Sequence, residues 1–183
     1  MKLLALDTST EACSVALHLD GAEHARFELV AQQHSSRLLP MIDACLADAG
    51  LRLTQLDGIA FGRGPGSFTG LRIGAGVVQG LAFAATLPVV PVSSLAALAQ
   101  AQTGERVYAA FDARMAQVYY GRYRRAPDGL VRLEQTEGVC DPSAVPLPTD
   151  ADWVGVGSGW DRYTQELRAR LGGLVSAVVS RAY

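Results

Sequence analysis

The apolar run KLLALD ends on Asp7, and Thr8, Ser9 and Thr10 follow at once. A carboxylate, three hydroxyls and the N–H groups of a tight bend can cradle a phosphate. An aspartate in that position can also hold magnesium through water. The pattern returns in RVYAAFDAR, where Asp112 closes a second apolar run, and the bend GVGSG supplies Gly157 and Gly159 further on. Facing one another across a cleft, these groups would suit ATP or ADP. Each aspartate could equally close its own strand end by accepting a nearby backbone N–H, an Asx-turn role that needs no ligand. Spacing alone leaves both readings open.

The loop GRGPGSFTGLRIG, residues 62–74, looks like a second phosphate cradle but lacks the pattern. No Lys-Ser or Lys-Thr follows the glycines, and Pro65 removes a donor where an anion nest would use one. The structural reading is a sharp reversal between strand and helix, with Ser67 as the helix cap. Ser67 has no GxSxG context, and no catalytic residue is expected. His18, His24 and His34 show no metal-ligand spacing. Cys13, Cys45 and Cys140 are odd in number and far apart with no CxxC, which argues against a disulfide framework and a zinc site. His34 reads as a solvated residue at a helix start, and Cys13 and Cys45 as core. Tyr119, Tyr120 and Tyr123 interleave with Arg122, Arg124 and Arg125 as a half-exposed, solvated edge strand, with RNA contact the minority reading.

The helix launched at Ser67 carries Gly70, Gly74, Gly76 and Gly80, then Ala84. Each helical glycine costs roughly 1 kcal/mol against alanine, so several together need a compensating contact. Close approach by another helix supplies one. Residues 73–104 hold no charged side chain. Gly76, Gln79, Gly80, Pro88 and Pro91 interrupt that run as a membrane span, which leaves a helix buried or covered by a partner. The docking face is therefore expected to include Gly70, Leu71, Gly74, Val77, Val78 and Leu81. One face can pack on its own sheet; the other needs the helix over 38–49 or a second protein to cover it.

The elements that must carry these residues are strands over 2–7, 13–20 and 25–30, and a helix opened at Ser35 or Ser36 and stopped by Gly50. A strand over 57–61, the long helix ending before Pro88, a strand over 89–92 and a helix from Ser93 or Ser94 to about 102 follow. The second half repeats this plan from Arg106, with the Pro-rich stretch 141–150 in place of the first helix. A linker is expected near 102–106, dividing an N-terminal lobe, 1–104, from a C-terminal lobe, 105–183. The class is α/β with two similar lobes. Of 183 residues 49% are apolar and the net charge is −2, so the chain is globular and carries no basic field to hold nucleic acid. Asp7 falls too early for a secretory leader, which points to the cytoplasm.

LALDTSTEACSVAL, HSSRLLPMID, GIAFGRGPGSFTGLRIG and FDARMAQVYYG together resemble the TsaB (YeaZ) family of tRNA threonylcarbamoyladenosine biosynthesis proteins. The resemblance implies an actin-like, Hsp70-like ATPase fold of two duplicated lobes. It also implies a non-catalytic relative of TsaD, the subunit that installs threonylcarbamoyl beside the anticodon of ANN-decoding tRNAs. TsaD carries a histidine pair for metal on a helix; the matching helix here has Arg37, Leu38 and Met41 instead. The implied partners are TsaD, docked through the helices beginning near Ser35 and Ser67 with Leu38, Met41, Ile42 and Cys45 of the first helix on the docking face, and the ATPase TsaE. A homodimer is implied when the chain is alone, with tRNA met only through the complex. The resemblance implies no required cofactor, with ATP or ADP the candidate ligand at a cleft or at the partner interface. The family continues past Tyr183, which leaves open whether the second lobe is whole. Two rivals remain: an independent ATP-dependent enzyme of the same fold, and a glycoprotease-like peptidase.

Overall fold

A computed structural model of the chain describes residues 1–30 and 32–183. The chain forms two compact units, Met1–Ser94 and Leu95–Tyr183. This division falls before the linker expected at 102–106, so the short helix after Ser94 joins the second unit.

In the first unit β1 (Lys2–Asp7), β2 (Ala12–Leu19) and β3 (Ala22–Leu29) form an antiparallel meander. After α1 (His34–Asp48), β4 (Gly58–Gly62) returns parallel to β1. After α2 (Phe68–Ala85), β5 (Val89–Val92) lies parallel to β4. The strand order is β3-β2-β1-β4-β5. Register puts Leu4 opposite Leu17 and Leu6 opposite Val15, with Ile59 beside Leu4. Strand side chains alternate faces, so these residues share one side, and α1 and α2 cover it with Leu38, Ile42, Cys45 and Val78. Ser67 caps α2 by accepting the Gly70 N–H, and Thr86 closes it in the left-handed conformation at φ 55°. Gly50, at φ 63°, follows the end of α1 as expected.

The second unit begins with α3 (Ser94–Gln100), which reaches back one residue into the first. β6 (Arg106–Arg114), β7 (Gln117–Arg125), β8 (Val131–Leu133) and β9 (Gly138–Cys140) follow, then β10 (Trp153–Val156), α4 (Ser158–Arg162), α5 (Thr164–Leu171) and β11 (Val175–Val179). Its sheet runs β11-β10-β6-β7-β8, with β9 also on β7. Reading β6, β7, β8, β10 and β11 for β1 to β5 reproduces the first sheet, parallel and antiparallel pairs alike. A Pro-containing 3-10 turn at Pro142–Ala144 stands where the first unit has α1. The duplicated mixed sheet is that of the actin-like, Hsp70-like ATPase fold. Trp160 donates its indole N–H to the Tyr108 carbonyl at 2.8 Å, and with Trp153 both rings anchor the second core.

β7 corrects the solvated-edge reading of 119–125. It lies inside the sheet, and Arg122 is buried, donating to the Leu147 carbonyl at 2.9 Å. β9 has no counterpart among the expected strands.

Candidate protein-docking surface

The end of β1 is a joint between elements. Asp7 accepts the Ser9 N–H at 2.6 Å through one carboxylate oxygen and the Ser94 hydroxyl at 2.7 Å through the other. Thr8 is buried and donates its hydroxyl to the Gly70 carbonyl at 2.8 Å. Buried Ser9 accepts the Ser67 N–H at 2.6 Å through its carbonyl. The glycine loop is thus stitched to the strand it leaves, and its Ser67 hydroxyl is committed to the helix cap. In the second unit Asp112 accepts the Arg114 N–H at 2.9 Å, the Tyr163 hydroxyl at 3.2 Å and the Arg162 guanidinium at 3.2 Å. A Cβ on Gly157, at φ 103°, would collide with the Ala110 carbonyl of β6, and one on Gly159 would fit tightly against Ala110. Each aspartate accepts the N–H two residues on, and Asp112 has a guanidinium beside it as well. The Asx-turn reading describes both.

His34 is buried, with Nε2 3.2 Å from the Ala12 carbonyl, which corrects its reading as a solvated residue. Cys13 and Cys45 are core residues, and burial pushes the Cys13 thiol up to about 11. Among the described residues no three His, Cys, Asp or Glu side chains gather as metal ligands.

The residues expected on the docking face divide. Leu38, Met41, Ile42 and Cys45 are buried in the first core, as are Gly70, Gly74 and Val78. Val77 and Leu81 pack half-buried against that core. Leu71 lines a hollow at the start of α2. The correction has a plain cause: α2 is apolar on two sides, and the bulky aliphatic side is the one its own sheet takes. A side chain on Gly74 would place Cβ 2.5 Å from the Thr8 hydroxyl, and one on Gly70 would strike the Thr8 carbonyl. Those two glycines let the helix lie against β1.

Gly76 and Gly80 differ. A Cβ on either would meet nothing within 4 Å. They lie on the outer side of α2 with Phe68, Thr69, Arg72, Ala75, Gln79, Phe83 and Ala84, all exposed. The spacing three or four apart makes this one continuous stripe. Phe68 is 68% exposed and Phe83 89% exposed. The two rings stand fifteen residues apart, about 22 Å along the axis. A hollow of about 370 Å³, lined by Phe61, Arg63, Phe68, Leu71 and Arg72, flanks one end. Another of about 620 Å³, lined by Ala82, Phe83, Leu87 and Pro88, flanks the other. Phe68–Ala85 is long and apolar enough to cross a membrane on length and composition alone, yet its inner side is built into the first unit. A stripe of Ala75, Gly76 and Gly80, with Arg72 and Gln79 among them, between two exposed aromatic rings is the form of a surface for another helix. Legible signals in the sequence were the glycine pairs; Phe68 as an outer anchor had none.

The sequence model of the TsaD family, tRNA N6-adenosine threonylcarbamoyltransferase, matches residues 26–138. The chain is 46% identical over 170 residues to the tRNA threonylcarbamoyladenosine biosynthesis protein TsaB of Escherichia coli, covering 89% of this chain and 74% of that one. It is 46% identical over 198 residues to the protein of the same description from Haemophilus influenzae, covering 100% of this chain and 83% of the relative. YeaZ from Pseudomonas aeruginosa superposes with a TM-score of 0.89 at 50% identity, covering 97% of this chain and 83% of that structure. The fold and the matched segment place the chain in the broad class of TsaD-like, actin-fold proteins. Within that class it belongs to the TsaB family of tRNA threonylcarbamoyladenosine biosynthesis proteins.

Proposed function

We propose that the chain serves threonylcarbamoyladenosine (t6A) synthesis as a non-catalytic subunit. On this reading it docks a TsaD enzyme through the outer side of α2, TsaE joins the pair, and tRNA is met only through the complex. The observation that carries it is the stripe from Phe68 to Phe83: an exposed, glycine-notched helix side with an exposed aromatic ring at each end. Exposed helical glycines give a free monomer no packing return, so their use is best explained by a helix that comes close. The functional groups a catalyst would need are spent internally, with Ser67 capping α2, His34 facing the Ala12 carbonyl and Asp112 paired with Arg162.

The test mixes the chain with the TsaD protein of the same organism, measures the heterodimer, and assays threonylcarbamoylation of tRNA with each component left out in turn. Heterodimer formation, loss of modification without the chain, and loss of pairing in Phe83→Asp are expected. Full modification without it, or ATP turnover by the chain alone that is lost in Asp7→Ala, would overturn the reading.

A further inference from the structure

We infer that the partner helix covering the outer side of α2 carries an acidic side chain within its apolar face, placed against Arg72. This rests on the docking reading above. Arg72 is exposed and stands in the stripe itself, one turn from Phe68 and in line with Ala75, Gln79 and Phe83. Its guanidinium lies 3.6 Å from the centre of the Phe68 ring. Among the described residues Arg72 has no ion pair, and neither α2 nor the hollow beside it contributes an acid.

A helix seated on Gly76 and Gly80 and touching both phenylalanines must pass over Arg72 and strip its water. A charge desolvated without a partner is strongly unfavourable, so the covering face has to supply one. Guanidinium geometry suits a carboxylate held by two parallel hydrogen bonds, with the Phe68 ring holding the guanidinium plane in place. A second copy's α2 cannot provide this, because FTGLRIGAGVVQGLAFAA contains no acid. The complementary surface is therefore an apolar helix of about fifteen residues with one Asp or Glu near the end that meets Phe68.

The experiment titrates the same organism's TsaD against the wild-type chain, Arg72→Gln, Arg72→Glu and Phe83→Asp, each at low and high salt. Native folding is checked first by circular dichroism. Arg72→Gln should weaken binding about ten-fold and Arg72→Glu at least a hundred-fold. The wild-type salt dependence should flatten in Arg72→Gln. If Phe83→Asp abolishes binding while both Arg72 variants bind as wild type, the docking reading stands and the acidic partner is wrong. Arg72→Gln binding as wild type with an unchanged salt slope would assign Arg72 to a carbonyl or to solvent, and would also overturn it. If Phe83→Asp binds normally too, the docking side itself is misplaced.

Discussion

Exchanging single glycines of α2 for alanine should move stability in opposite directions according to which side of the helix they occupy. For Gly80→Ala the new Cβ meets nothing within 4 Å, so only the helix preference of alanine acts, a gain of about 1 kcal/mol. Gly76→Ala should behave alike. Gly74→Ala gains the same preference but drives Cβ to 2.5 Å from the Thr8 hydroxyl, which donates to the Gly70 carbonyl. Overpacking costs about 1–3 kcal/mol and a broken buried hydrogen bond about 1–3 kcal/mol, so after the alanine gain the net loss is roughly 1–5 kcal/mol. For a chain of this size each kcal/mol moves Tm by about 2–4 °C. Thermal unfolding of the free chain followed by circular dichroism reads both signs. Gly80→Ala and Gly76→Ala should melt higher, and Gly74→Ala lower. A destabilised Gly80→Ala would mean the outer side is already packed, and a neutral Gly74→Ala would mean the inner side is loose. Either result refutes the division of the glycines.

Gly157→Ala should lose more than about 2 kcal/mol, because a φ of 103° and the Ala110 carbonyl both oppose a side chain; urea unfolding checks this. The Arg124 guanidinium, 2.8 Å away, holds the Asp150 carboxyl below its ordinary range, helped by Thr149. A depressed folded pKa stabilises above the unfolded value of about 3.9 and ceases to do so as pH falls through the folded value. Asp150→Asn should therefore narrow the stability difference between pH 6 and pH 2. An unchanged acid profile would show that solvent screens the pair. With its thiol pushed up to about 11 by burial, Cys13 should resist thiol reagents at pH 8 until the chain unfolds. Fast labelling of Cys13 in native protein would contradict its place in the core.

Much of the architecture was legible in the residues. The strand ending on Asp7, the Asp20-Gly21 turn, Gly50 after α1 and the Ser67 cap are local signals, and local chemistry decides them, whereas β6 runs two residues past Asp112 to Arg114. The duplicated plan followed from their order. What escaped depends on register and packing between distant segments. Both sides of α2 are apolar, so periodicity could not say which side meets β1; the collision of Gly70 and Gly74 with Thr8 decides it. His34 looked solvated because its partner, the Ala12 carbonyl, lies on another element. Alternating Tyr and Arg on β7 imitate an edge strand, yet β8 and β9 pair with its outer side and Arg122 finds the Leu147 carbonyl.

Hydrogen–deuterium exchange of the chain, alone and saturated with the same organism's TsaD, tests the central claim most directly. Slowed exchange in peptides spanning Phe68–Ala85, strongest around Gly76 and Gly80, is the predicted result. A stable complex that leaves those peptides exchanging as in the free chain would contradict it.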